Sequence, residues 1–95
     1  MLPIKTGQQL LVIRSAGGTA SAVAGWTNVA ASGDIPDVRV VSVGATDTEL
    51  VPGAAASSQN VLGHCSVFCD SGTVTVTLKM FDGSVQSPVA EVVLR

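Results

Sequence analysis

The stretch Thr73-Val74-Thr75-Val76-Thr77-Leu78-Lys79-Met80-Phe81 decides the fold class. Apolar residues recur at every second position. Val74, Val76, Leu78 and Met80 share one face, and Thr73, Thr75, Thr77 and Lys79 share the other. Successive side chains of a strand point to opposite sides, so this segment is a strand with one face in a core and one in water. The four apolar residues are assigned to that core. Asp82-Gly83 follows, a pair that suits the positive φ angles of a two-residue hairpin turn. A return strand is expected from Val85, disturbed at Pro88 and resumed from Val89 to Leu94. Pro88 has no N–H for a ladder, so it belongs at a sheet edge or a bulge.

Outward from this hairpin the same period persists. Residues 61–69 read as a strand, and Asp70-Ser71-Gly72 turns from it into Thr73. Residues 38–43 and 48–51 are short β-branched runs separated by Gly44-Ala45-Thr46-Asp47. Residues 9–13 and 21–29 are two further strand candidates, linked through Gly17-Gly18. Residues 30–37, with Gly33, Asp34 and Pro36, read as a loop, and so does the small polar segment 52–60. Helix competes only over 54–60. The expected architecture is all-β: a single small antiparallel β-sandwich or barrel of about six to eight short strands. It occupies residues 8–95, preceded by an N-terminal arm, residues 1–7.

Composition agrees. The 95 residues include 16 Val, 11 Ala, 10 Gly, 10 Ser and 8 Thr, with no Tyr, one Trp and two Phe. Apolar residues make up 46% and charged residues 13%, which excludes a disordered chain. Val, Thr, Ser and Gly are poor helix formers, which argues against a helical bundle. A domain this small buries only about 60–65% of its extended surface. Val and Ala also bury less apolar area than Leu or Phe, so oligomerisation or docking on a larger scaffold is the expected source of added stability.

Charge and chemistry narrow the function. The net charge is −2, and Lys5, Arg14, Arg39, Lys79 and Arg95 are scattered along the chain. Nucleic-acid binding needs clustered cations and stacking aromatics, so no nucleic-acid partner is expected. The longest bulky apolar run is Leu10-Leu11-Val12-Ile13. A membrane span needs about 20 residues, so no membrane partner is expected. Neither is a signal peptide, because the start of the chain has no long apolar segment.

His64 is the only histidine, and in a strand it faces away from both Cys65 and Cys69. No catalytic pair forms that way. Three Cys and His residues fall short of the four ligands of a structural zinc site. Cys65 and Cys69 lie on one face about 13 Å apart, beyond disulfide reach, and are expected as free thiols. Asp34, Asp70 and Asp82 neighbour Gly or Ser as turn-forming residues do, without the oxygen-rich spacing of a calcium loop. No enzyme activity, metal, cofactor or small-molecule substrate is expected. Trp26 is either the plug of the core or an interface anchor.

The order of segments carries a resemblance. A lead, Ile4-Lys5-Thr6-Gly7-Gln8-Gln9-Leu10-Leu11-Val12-Ile13, runs into a small-residue strand ending at Trp26. Then come a Ser/Gly/Asp/Pro loop, a Val/Thr strand and Thr46-Asp47-Thr48-Glu49-Leu50-Val51-Pro52. Ala54 to Val61, a further strand, the Thr-Val repeat and Asp82-Gly83 complete it. Over most of its length this order resembles the small all-β virion structural proteins of tailed bacteriophages. Those proteins often carry a basic residue between the Gln and the Asn-Val, and an Asn at the end of the next strand. Here Gln59 precedes Asn60 directly, and Cys69 and Asp70 stand at the strand end.

The resemblance implies a capsid decoration, or cement, protein. Such a protein forms a homotrimer on the outer head surface, binds the major capsid protein and stabilises the lattice. It is made in the host cytoplasm and resides in the virion. A tail-tip or fibre-associated module that recognises a host surface is the alternative. The N-terminal lead and the loops are expected to make the intermolecular contacts, through Leu2, Pro3, Ile4, Lys5, Trp26, Ile35 and Pro36.

Overall fold

The computed structural model describes residues 2–94, for Leu2 the backbone alone. Eight strands follow one another: β1 (Leu2–Ile4), β2 (Gln9–Arg14), β3 (Gly18–Ala30), β4 (Gly33–Val43), β5 (Thr48–Val51), β6 (Ser58–Gly72), β7 (Val74–Phe81) and β8 (Gln86–Leu94). They form two four-stranded antiparallel sheets, ordered β1-β6-β3-β4 and β5-β2-β7-β8, packed face to face as a sandwich. Among the described residues there is no helix, so the 54–60 segment is loop and then strand.

The alternation that predicts a strand at 73–81 is what builds the core. Val74 and Val76 are 1% exposed, and Leu78 and Met80 pack half-buried beside them. Leu10 and Val12 of β2 pair with Met80 and Leu78, extending the apolar layer across the sheet. The other sheet answers with a row of small residues, Ala20, Ala22 and Ala24 on β3, that ends in the bulky Trp26. Alanines let the sheets approach closely, and the indole fills the space where the row stops.

Several boundaries differ from the sequence reading. The segment 30–37 is not a loop. A two-residue turn, Ala31-Ser32, closes the β3–β4 hairpin, and β4 starts at Gly33, whose φ is +129°. Pro36 is tolerated because β4 is an edge strand, where one side of the backbone has no ladder to supply. The Asp82-Gly83 turn is longer than two residues, since Phe81 pairs with Gln86. Asp82 Oδ1 accepts the N–H groups of Ser84 (3.1 Å) and Val85 (2.7 Å), which stabilises a four-residue loop instead. Asp70-Ser71-Gly72 is the end of β6, and the chain bends at Gly72 with φ +70°. A Cβ on Gly72 would lie 2.3 Å from the Gly17 carbonyl oxygen, so glycine is required there on both counts. Pro88 stands on an edge strand beside a bulge at Val89, as its missing N–H demands.

The N-terminal lead is also not a separate arm. Residues 2–4 form β1, paired with Asn60 to Leu62 of β6, and Ile4 is fully buried. Asn60 anchors this end of the sandwich. It accepts a hydrogen bond from Asn28 Nδ2 (2.8 Å) and donates one to the Pro52 carbonyl (3.0 Å), holding the β5–β6 loop down over the core.

Candidate interaction surfaces

The chemically versatile side chains are dispersed. His64 and Cys65 face opposite sides of β6: Cys65 lies with Ala24 on the inner face, and His64 lies outside over Gly25. A Cβ on Gly25 would come within 2.2 Å of the imidazole Cε1, so the ring occupies the space a larger residue would need. Cys65 and Cys69 are both free thiols on the inner face. Burial raises the Cys65 thiol above its ordinary value and keeps it protonated. Cys69 Sγ donates to the Gly72 carbonyl (2.9 Å).

Several carboxylates have structural partners. Glu49 accepts from Arg39 Nη1 at 2.7 Å, an ion pair that ties β5 of one sheet to β4 of the other. The Arg39 guanidinium also lies 6.0 Å from the centre of the Trp26 ring, at the limit of a cation–π contact. Asp47 bonds Lys79 Nζ (2.5 Å) and Gln86 Nε2 (2.7 Å). Lys79 first, then Gln86, holds its carboxyl below the ordinary value. Asp82 is likewise lowered by the Val85 and Ser84 amides of its loop. Among the described residues, no three His, Cys, Asp or Glu side chains come together in an arrangement that could hold a metal. No helix among them is long and apolar enough to cross a membrane.

What the surface offers instead is apolar. On the outer face of the first sheet, Val38 and Val40 of β4 are 60% and 72% exposed, and Phe68 of β6 is 54% exposed. Val23 of β3, half-buried, pairs with Val40 and sits diagonally from Phe68, so the three form one patch across β4, β3 and β6. On the second sheet, β8 exposes Val89, Val92 and Val93. At the tip of the β3–β4 hairpin, Ile35 projects on the face opposite Val38 and Val40. Strands hold these side chains in fixed positions, which suits recognition of another protein surface with little ordering cost.

Two open depressions lie among the described residues. One, of about 550 Å³, lies between Lys5, Thr6, Val29, Ala30, Ser57 and Gln59. The other, of about 200 Å³, lies beside His64, Thr27, Pro36 and Asp37.

Of the residues expected at an interface, Pro3, Lys5, Ile35 and Pro36 are exposed. Ile4 and Trp26 are not available: they are 0% and 5% exposed and belong to the core. The side chain of Leu2 lies outside the described residues. Val38, Val40, Phe68 and the β8 valines escape the sequence reading. The available signal is the breakdown of alternation at Val40-Val41 and Val92-Val93-Leu94, where apolar residues occupy both faces of a strand at once.

Comparison with known protein families, with characterised proteins and with solved structures finds no match for this chain.

Proposed function

We propose that this chain is a non-enzymatic virion structural protein of a tailed bacteriophage, a capsid decoration protein. It self-associates as a trimer on the outer head surface, binds the major capsid protein and reinforces the lattice. One observation carries the reading: a small rigid sandwich presents apolar side chains on strands, with Val38, Val40 and Phe68 grouped on one broad sheet face. That arrangement supports adhesion to protein surfaces. Many modest contacts, repeated on a regular lattice, give high avidity without any single strong site. The phage setting rests on the resemblance in the order of segments along the chain.

The test is the copy number of the protein in purified particles, with its occupancy on empty heads measured for the native chain and for Val40→Lys. A copy number that follows the capsid lattice, with occupancy reduced by the variant, supports the reading. A handful of copies per particle transfers the protein to the tail tip or a fibre, and absence from particles overturns the proposal.

A further inference from the structure

The sandwich is closed along one flank and open along the other. On the closed flank β4 lies over β5, joined by the Arg39–Glu49 ion pair. The opposite margins of the two sheets are β6 and β8. β1 covers β6 only from Asn60 to Leu62, so its edge from Gly63 to Gly72 has no strand beside it among the described residues. β8 ends its sheet and has no outer neighbour among them. Both margins turn a half-open apolar row towards the interior. On β6 the row is Cys65, Val67 and Cys69, which face Ala24, Ala22 and Ala20 across the ladder. On β8 it is Ala90, Val92 and Leu94, which face Leu78, Val76 and Val74. Val92 stays 40% exposed although it lies on the core-facing side, because no described residue of this chain covers it.

A long apolar edge strand is an aggregation hazard that proteins blunt with charge, proline or bulges. β8 has Pro88 and the Val89 bulge in its first half only. From Ala90 to Leu94 it is regular, with Glu91 as its one charged residue, on the opposite side from the apolar row. An unpaired edge is complemented by another unpaired edge, and this flank carries two of similar length, each with three apolar residues at alternate positions.

We propose that the open flank is a self-association surface, in which β8 of one copy of this chain lies against the free edge of β6, Gly63 to Gly72, of a second copy. With Val92 opposite Val67 the two apolar rows coincide, and Glu91 meets Phe68 or Ser66, not another carboxylate. The joint pairs β8 of one copy with β6 of the next, and copies joined this way form a closed ring where the rotation between them closes. It names the surface by which copies associate in the function proposed above, but its test needs no capsid.

The experiment uses chains in which Cys65→Ser and Cys69→Ser remove the native thiols. One chain then carries Val67→Cys and another Val92→Cys. Residues directly opposite on paired strands have Cα atoms about 4.5–5.5 Å apart, within disulfide reach. Mild oxidation of the mixed chains is expected to give a cross-link between the two variants, and oxidation of either alone is expected to give none. In parallel, the mass in solution of the otherwise native chain should fall to that of a monomer with Val92→Asp and stay unchanged with Val40→Asp, with circular dichroism confirming folded strands. A cross-linked dimer from the Val92→Cys chain alone would mean β8 pairs with β8 and overturns the proposal. A native chain that is monomeric at about 100 μM, or Val92→Asp that still associates, overturns it too. Failure of the native chain to bind heads, with this joint intact, would instead count against the decoration reading alone.

Discussion

Replacing Ile4 by alanine tests whether the first strand is part of the core or a free lead. Ile4 is 0% exposed and packs with Leu10, Val12 and Trp26 in the central cluster, although β1 is only three residues long. Truncating a buried Ile to Ala costs about 2–5 kcal/mol, combining lost transfer energy and the cavity left behind. A value near the lower middle, about 3 kcal/mol, is expected, because β1 is a three-residue strand paired on one side only, so the site can partly collapse. A domain of this length has a total stability of about 5–14 kcal/mol, so the variant stays folded at room temperature. At about 4–8 °C per kcal/mol, its melting temperature should fall by about 12–24 °C. The assay is thermal unfolding followed by circular dichroism. Lys5→Ala, at an exposed neighbour, is the control and should shift by less than about 3 °C, as surface substitutions do. If Ile4→Ala shifts no more than the control, β1 is not docked in solution and the burial argument fails. Deleting residues 2–7 should likewise unfold or severely weaken the domain, where a free arm would be lost without harm.

Other outcomes follow from the same geometry. Gly25→Ala pushes on the His64 ring, a movable side chain, and should cost about 1–2 kcal/mol, with His64→Ala in the same chain recovering most of it; Gly72→Ala meets backbone at a positive φ and should cost more, by urea unfolding. Thiol titration should find two reactive groups in the unfolded chain, and alkylation of Cys65 in the folded chain at about pH 8 should be slower than that of free cysteine, since burial raises its pKa. Asp47 has a folded-state pKa below its ordinary 3.8, so its bond to Lys79 stabilises the fold above that value and is lost as pH falls through the lower, folded-state one. The difference in melting temperature between the native chain and Lys79→Gln should therefore be largest near neutral pH and shrink below about pH 4; a difference that is constant down to about pH 2 would refute the pairing.

The all-β class is legible in the sequence because exposure on a two-faced strand is a local property. Thr73 to Phe81 states it residue by residue, and the fold keeps Val74, Val76, Leu78 and Met80 on the core face. Pro88 likewise announces its edge position, because a missing N–H excludes an interior ladder wherever it occurs. The β3–β4 and β7–β8 hairpins join neighbours within one sheet, yet even their turns depart from the local signals. Gly33, Asp34 and Pro36 have loop propensities, and pairing with Ala30, Val29 and Thr27 overrides them.

The remaining connections cross between the sheets, so their partners are far apart in sequence. Nothing local in Leu2-Pro3-Ile4 says that the distant Asn60 to Leu62 of β6 will receive it, or that Ile4 will then be fully buried. Trp26 could serve a core or a surface with equal chemistry, and the alanine row that leads to it decides for the core. The candidate surfaces are further still from the sequence. Val92 sits in the core-facing register and Val40 in the solvent-facing one, but both end up exposed, Val92 because the sandwich stops short of covering β8. A period of two tells which residues share a face. Only the packing of one sheet on the other decides how much of that face is covered, because coverage depends on where each sheet ends.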